Sequence, residues 1–245
     1  MRYLAVLVLV FSQYITASRG LLAQDFSCPA GKADTMKYFA MAQEHRANRH
    51  MSGTSNPIYT KVFPNQDFAE SGYWFWLKST TANGFDVKAF DRNYVYMRST
   101  ELVWTNNTTF KRFVHDLPVT ARCVAESEAG PEIKVKDTSF QYYSSCKSFK
   151  QSRIGTVVND LDAPVLMDTG GNIGQVWTRV QHYHYNCNAD FERCTDEEQF
   201  FLANGYGLWQ WKHFKSGSLV QTTLINNIET GTTSATLPCA NSYEP

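Results

Sequence analysis

The feature that most constrains the fold is a repeated pattern of short apolar runs and turn-forming pairs, which begins at Ser52 and continues toward the C-terminus. The runs are rich in Thr, Tyr, Val, Phe and Trp, and they are broken by Asn-Gly, Ser-Gly, Gly-Gly and Asn-Pro pairs. β-branched and aromatic residues favour strands, while Gly, Pro and Asn favour the turns between them. The pattern predicts an all-β domain rather than alternating strands and helices.

Short strands at this spacing predict an antiparallel β-sandwich, a jelly roll or an open barrel. Two connections are predicted to be hairpin turns: Asn83-Gly84, and the Lys-Ser-Gly-Ser segment at 215–218. The predicted strands are 58–63, 73–79, 85–90, 94–104, 110–114, 119–125, 132–135, 140–144, 176–185, 199–202, 207–214 and 219–225.

One short N-terminal helix is predicted, capped by Asp34 and reaching about Asn48, because apolar residues follow Asp34 at helical spacing. Residues 147–174 are predicted to form a long irregular loop, with a short helix near 148–158. Long loops in compact domains are often functional, so this segment is a predicted rim of a site.

The first 23 residues have the features of a secretory signal peptide. Met1-Arg2-Tyr3 precedes an apolar run from Leu4 to Phe11, which is too short to span a bilayer as a helix. We predict cleavage after Ala23, a single β-rich domain over residues 24–245, and a secreted location, extracellular or periplasmic. Because no later segment is long and apolar enough to cross a membrane, no membrane insertion is expected.

The six cysteines all follow the predicted signal peptide, and an even number in an exported chain predicts three disulfides. Sequence spacing favours Cys123–Cys146, Cys187–Cys194 and Cys28–Cys239. A zinc site built from cysteines is disfavoured because the chain has no Cys-x-x-Cys pair.

The charge balance argues against a nucleic-acid or anionic-lipid partner. The chain has 23 Lys and Arg against 23 Asp and Glu, and removing the leader takes away Arg2 and Arg19. The mature chain is therefore slightly acidic, whereas binding to phosphate backbones requires clustered Lys and Arg.

The aromatic residues recur at alternate positions beside polar ones on two predicted strands, 176–185 and 207–214. Residues two apart share a face of a strand. Sugar rings stack on aromatic side chains, while guanidinium and amide groups bind hydroxyls. These residues therefore predict a glycan-binding face, and the alternative is a buried core with a solvated side. The predicted ligand-binding residues are Trp177, Arg179, Gln181, Tyr183, Trp209 and Trp211.

His182 and His184 share the other face of strand 176–185, where two imidazoles could bind a metal with a third ligand from the acidic residues between Asp190 and Glu198. Asp160-x-Asp162 offers oxygen ligands for calcium, without the full pattern of a calcium loop. Two alternating histidines are more often a surface pair. We therefore expect neither a metal nor another cofactor.

The sequence contains no complete catalytic motif, and no carboxylate pair stands out for glycoside hydrolysis. A polysaccharide lyase would need a Tyr or His as base and a polar group that neutralises the substrate carboxylate. The candidate catalytic residues for such an enzyme are Arg98, Glu101, His182 and Tyr206.

Three segments occur in the same order as the strand motifs of the jelly-roll alginate lyases: Arg98-Ser99-Thr100-Glu101-Leu102, Gln181-His182, and the segment from Phe200 to Gly207. The chain resembles that family in part. The first segment has an inserted Thr and lacks the closing Arg, the second lacks the middle residue, and the third lacks the Lys before Ala. The resemblance implies a jelly roll and lyase chemistry on polyuronates.

Together these features predict a secreted carbohydrate-binding protein that engages an extracellular polysaccharide through an aromatic and polar sheet face. The first alternative is a polysaccharide lyase or glycoside hydrolase of jelly-roll type. The second is a structural extracellular or cell-surface subunit that associates with itself.

Overall fold

The computed structural model describes residues 26–39, 45–51, 54–61, 72–77, 85–101, 112–143 and 149–230, with side chains over 26–39, 90–97, 117–136 and 155–224. The predicted signal peptide lies outside these residues. The elements are β1 (Lys32–Asp34), α1 (Met36–Phe39), β2 (His45–Met51), β3 (Thr54–Lys61), β4 (Gly72–Leu77), β5 (Phe85–Phe90), β6 (Tyr94–Glu101), β7 (Arg112–Ala121), β8 (Cys123–Ala125), β9 (Ile133–Tyr143), β10 (Phe149–Leu161), β11 (Val165–Asp168), β12 (Gln175–Cys187), β13 (Cys194–Ala203), β14 (Gly207–Lys215) and β15 (Ser218–Thr230).

The described strands form one large antiparallel sheet and a small one made of β1 and β8. In the large sheet the order is β10-β9-β7-β6-β5-β4-β3-β2-β15-β14-β13-β12-β11, and β10 also pairs with β12 near the other end of the order. The predicted all-β class, with antiparallel strands, one short helix and disulfides, is confirmed. No helix within the described residues is long and apolar enough to span a bilayer.

The predicted N-terminal helix is shorter than expected. Asp34 does cap it, since the Met36 amide donates to Asp34 Oδ1 at 2.9 Å. However, α1 ends at Phe39, and the predicted extension toward Asn48 is wrong from residue 45 onward, where β2 begins. β2 pairs with β3 and β15, and this pairing on both edges outweighs the helical spacing.

The predicted loop at 147–174 is also wrong, as is its helix near 148–158, because β10 and β11 occupy most of this segment. β10 lies between β9 and β12, and consecutive residues such as Val157 and Val158 are both buried. A strand buried on both faces shows no alternation of apolar and polar residues, so it resembles an irregular segment in sequence.

Two disulfides join described cysteines. Cys187–Cys194 is confirmed, and it links the paired ends of β12 and β13. Cys28 is bonded to Cys123, so the predicted pairs Cys123–Cys146 and Cys28–Cys239 are both wrong. The reason is the β1–β8 pairing, which brings the N-terminal segment beside Cys123 across 95 positions of sequence. Cys146 and Cys239 lie outside the described residues.

The N-terminal segment 26–39 packs against the main hydrophobic cluster through Met36, Tyr38 and Phe39. The Gly205 amide, in the β13–β14 turn, donates to the Lys37 carbonyl at 2.7 Å. The segment therefore covers the sheet at the end where β13 turns into β14. The opposite end of these strands, at the β12–β13 and β14–β15 turns, is where the candidate site lies.

Candidate functional site

Strands β12, β13 and β14 carry two different faces, fixed by their pairing. Tyr183 lies opposite Glu198, and Tyr185 lies opposite Asp196. These four residues share the face that also carries the main hydrophobic cluster, which we call the core face. His184 lies opposite Glu197 on the other side of the same strands, which we call the opposite face.

A row of four rings runs along the core face of β12 and β14. Tyr183 stacks on Tyr185, with ring centroids 5.1 Å apart, and Tyr185 stacks on His213 at 6.3 Å. His213 stacks on Trp211 at 6.0 Å. Tyr183 is buried, whereas Tyr185, His213 and Trp211 are half-buried.

Two carboxylates bind the polar edges of this row, and together with the four rings they form what we call the aromatic–carboxylate cluster. The Trp211 indole N–H donates to Glu198 Oε2 at 2.8 Å, and the Tyr185 hydroxyl also bonds to Glu198. His213 Nε2 lies 3.1 Å from the Tyr185 hydroxyl oxygen and 3.6 Å from Asp196 Oδ1. The rings and carboxylates thus hold one another in place.

The charges in this cluster shift the pKa values of its members. Burial, reinforced by the negative charge of Glu198, raises the pKa of both Tyr183 and Tyr185, so both stay neutral hydroxyls at physiological pH. Hydrogen bonds from Asn186 and Thr195 hold the pKa of Asp196 below its usual value, although partial burial opposes them. Asp196 therefore remains a carboxylate over the whole physiological range.

The opposite face carries a separate group, which we call the His–carboxylate cluster: Asp160, Asp162, His182, His184 and Glu197. His182 Nδ1 lies 2.8 Å from Glu197 Oε1, and its Nε2 lies 3.1 Å from Asp162 Oδ2. His184 Nε2 lies 3.5 Å from Asp160 Oδ2. The two imidazole rings are nearly parallel, with centroids 6.0 Å apart.

The pKa of His182 reflects these neighbours. Burial by itself would lower the pKa, but the hydrogen bonds to Glu197 and Asp162 and the charge of Asp160 raise it above the usual value for histidine. For Glu197, burial acts in the direction of a higher pKa, yet the bonds from Gln199 and His182 hold it below the usual value.

The six predicted ligand-binding residues do not gather into one accessible site. Tyr183 and Trp211 lie in the aromatic–carboxylate cluster. Trp177 is 52% exposed and lies six positions from Tyr183 along β12, about 20 Å away at the rise of a strand. Gln181 is buried, and its amide donates to Asn159 Oδ1 at 3.2 Å.

Arg179 is fully buried, and its contacts stabilise the fold. Its Nη1 and Nη2 donate to the carbonyls of Ala125, Glu126, Glu128 and Asp162 over 2.7–3.2 Å. It also lies over the Tyr38 ring of α1, 5.3 Å from the centroid. Arg179 thus holds the turn that follows β8 against β12, and its Nη1 and Nη2 face backbone carbonyls rather than an open surface.

Trp209 and Trp211, predicted to share a face, lie on different faces because β14 contains a bulge. Leu208 pairs with Leu202 and Gln210 pairs with Phe201, which leaves Trp209 as an extra residue between them. Trp209 is buried on the opposite face, where its indole N–H donates to Thr178 Oγ1 at 3.2 Å and its ring packs edge-on against Phe201.

Strand pairing does not bring the four predicted catalytic residues side by side. Arg98 and Glu101 lie on β6, which pairs with β5 and β7 and not with β12 or β13. Their side chains are outside the described set. His182 belongs to the His–carboxylate cluster, and Tyr206 is exposed in the β13–β14 turn near α1.

Tyr185, Asp196, Glu198 and His213 belong to the aromatic–carboxylate cluster but are not among the predicted ligand-binding residues. The acidic residues before Gln199 were not recognised as part of a strand, although β13 begins at Cys194. Alternation of Asp196, Glu198 and Phe200 on one face was the signal available in the sequence.

No protein family, no curated protein and no solved structure matches this chain. The partial resemblance to alginate lyases therefore rests on its short motifs alone.

Proposed function

We propose that this protein is an exported glycan-binding protein whose aromatic–carboxylate cluster binds the sugar. The observation that carries the proposal is the row of four rings on the core face, with Glu198 and Asp196 bonded to its polar edges. This combination supplies apolar ring surface and fixed hydrogen-bond acceptors at the same place.

The chemistry of the cluster suits a saccharide. Tyr and Trp rings offer surface for the C–H faces of a sugar, and ionised carboxylates accept hydrogen bonds from its hydroxyls. Glu198 is already held by Trp211, and Asp196 by Asn186 and Thr195, so little side-chain conformational entropy is lost on binding. The half-buried ring edges and carboxylates provide the mixed surface on which sugars are recognised.

The location along the strands supports an accessible site at this end. Residues 26–39 cover the core face near the β13–β14 turn, and the main hydrophobic cluster fills that region. Exposure then rises from Tyr183 to Tyr185 toward the Cys187–Cys194 disulfide. A disulfide across the paired ends of β12 and β13 limits fraying where the ligand would bind.

The export of the chain is part of the proposal. Two disulfides among the described cysteines are typical of proteins that fold in an oxidising compartment, and the first 23 residues have the composition of a signal peptide. A glycan on a cell surface or in an extracellular matrix is the ligand that such a protein would meet.

A glycan array followed by a fluorescence titration tests the proposal. The purified wild-type protein is screened against glucans, mannans, alginates and pectins, and each hit is titrated while tryptophan emission is recorded. Glu198→Gln is expected to weaken binding about tenfold or more, because it removes a charged acceptor. Glu192→Gln, which neutralises an exposed carboxylate in the β12–β13 turn, is the matched control and should bind like the wild type. Absence of binding on all four classes of glycan, or equal affinities for the two variants, would contradict the proposal.

A further inference from the structure

The His–carboxylate cluster on the opposite face has the arrangement of a transition-metal site. Two sets of side chains, His182–His184–Glu197 and Asp160–Asp162–His182, each place one ligand atom per residue within 4.8 Å of the others. Asp160 lies on β10 and Asp162 directly follows that strand, while the two histidines lie on β12 and Glu197 lies on β13. Three paired strands therefore fix the positions of these side chains.

In each of the two histidines, one ring nitrogen faces an aspartate and the other lies on the side of Glu197. His182 Nε2 bonds to Asp162, and His184 Nε2 faces Asp160. This leaves His182 Nδ1, beside Glu197, and Nδ1 of His184, whose residue lies directly opposite Glu197. Metal-binding histidines usually donate their second nitrogen to a carboxylate in this way, which fixes the tautomer and the ring orientation.

The cluster also lacks a fixed positive charge of its own. Among the described residues, the ion pairs of Asp160, Asp162 and Glu197 involve only histidine. A divalent cation between the imidazoles and Glu197 would supply the positive charge that these three carboxylates otherwise receive only from histidine.

We propose that His182, His184 and Glu197 bind one zinc-type divalent ion, with Asp162 and Asp160 holding the outer nitrogens of the two imidazoles. Two imidazoles and a carboxylate are a donor set that suits zinc and neighbouring transition metals, whereas calcium prefers oxygen ligands throughout. Glu197 is kept in place by Gln199, whose amide donates to Oε1 at 2.7 Å. The site lies on the face opposite the aromatic–carboxylate cluster, so it stands or falls independently of the glycan proposal.

Calorimetric titration of the full, metal-free protein with Zn²⁺, and separately with Ca²⁺, tests the site. One Zn²⁺ per chain should bind, and Ca²⁺ should not compete for it. Glu197→Gln and His184→Gln should each weaken Zn²⁺ binding at least about tenfold, and Asp162→Asn should weaken it about 10- to 100-fold through loss of the outer hydrogen bond. Glu192→Gln should leave Zn²⁺ binding unchanged.

Substitution with Co²⁺ gives a second readout that does not depend on affinity. The visible absorption of Co²⁺ should report bound nitrogen and oxygen ligands in the wild type and in Glu192→Gln, and should change in Asp162→Asn even where binding survives. If His184→Gln does not fold, Zn²⁺ binding by Glu197→Gln and Asp162→Asn still tests the proposal. No saturable Zn²⁺ binding, binding that the variants do not alter, or preference for Ca²⁺ would overturn the proposal.

Discussion

The Trp211 indole N–H donates to Glu198 Oε2 over 2.8 Å, from β14 to the neighbouring strand β13. This bond fixes both a large ring and a carboxylate at the half-buried end of the core face. Tyr185 bonds to the same carboxylate, so one acceptor organises two of the rings that we propose as the sugar platform. The site is thus ordered before any ligand arrives, which reduces the entropy lost on binding.

Arg122 is predicted to be a major contributor to stability. It is fully buried, its Nε and Nη2 donate to Asp34, and its guanidinium lies 3.6 Å from the Phe26 ring centroid. Arg122→Met leaves Asp34 without this partner and should lower the free energy of unfolding by about 3–5 kcal/mol in urea denaturation.

Lys134→Met is the control for that experiment, because Lys134 forms an exposed ion pair with Glu132 at 2.7 Å. Its loss should cost at most about 1 kcal/mol. Equal effects of the two substitutions would contradict the role assigned to Arg122.

Asp91 is predicted to make stability depend on acidic pH. Burial acts to raise its pKa, but hydrogen bonds from the Tyr96 hydroxyl and the Tyr94 and Asn93 amides, together with Arg122, hold the pKa below its usual value of 3.8. The unfolded chain therefore binds the proton more readily, so Asp91 stabilises the fold above about pH 4 and this stabilisation is lost as pH falls through the lowered pKa.

Unfolding measured from pH 7 to pH 2 checks this dependence. Asp91→Asn should be less stable than wild type at pH 7, and the difference should shrink at the acid end. Asp190→Asn, an exposed aspartate in the β12–β13 turn, should show no such convergence. A constant difference between wild type and Asp91→Asn across the range would refute the assignment.

The two described disulfides should contribute unequally to stability. Cys28–Cys123 joins residues 95 positions apart, while Cys187–Cys194 joins residues only 7 apart. Restriction of the unfolded chain predicts a loss of about 4–5 kcal/mol for the double variant Cys28→Ala, Cys123→Ala and about 2 kcal/mol for Cys187→Ala, Cys194→Ala. Urea denaturation of both double variants measures the order, and a larger loss from the shorter loop would contradict the account.

Trp209 is predicted to stabilise the fold and not to contact the glycan. Its ring is buried on the opposite face, and its indole N–H bonds to Thr178. Thr178→Val should lower the free energy of unfolding by about 1–3 kcal/mol, because it leaves a buried donor without its partner. Glycan affinity should stay at the wild-type value in the same variant, and a loss of affinity without a loss of stability would argue against this role.

Local turn chemistry made one hairpin predictable from sequence. Ser216 and Gly217 both have positive φ, at 48° and 77°, as a tight turn between right-handed twisted strands requires. Lys215 therefore pairs directly with Ser218, inside the predicted 215–218 segment. The Asn83-Gly84 turn lies outside the described residues, while the pairing of β4 with β5 that it predicts is present.

The candidate site was only partly predictable because strand register decides which side chains meet. Once Cys187 is placed opposite Cys194, counting back along the hairpin sets Tyr185 against Asp196 and His184 against Glu197. The predicted Cys187–Cys194 disulfide is therefore enough to predict which residues of β12 and β13 lie opposite each other in both clusters. The bulge at Trp209 has no comparable signal in the sequence. Simple alternation would put Leu208 and Trp211 on different faces, but the extra residue at the bulge lets both pack on the core face.

The measurement that most directly tests the glycan proposal is isothermal titration calorimetry. The glycan that binds most strongly on the array is titrated into the wild-type protein, Trp211→Phe and Trp209→Phe. The two tryptophans are two residues apart on β14 but lie on different faces. Trp211→Phe should weaken glycan binding about tenfold or more, since it removes ring surface and the bond to Glu198, while Trp209→Phe should bind with wild-type affinity. Equal affinities for Trp211→Phe and wild type, or a loss confined to Trp209→Phe, would contradict binding at the aromatic–carboxylate cluster.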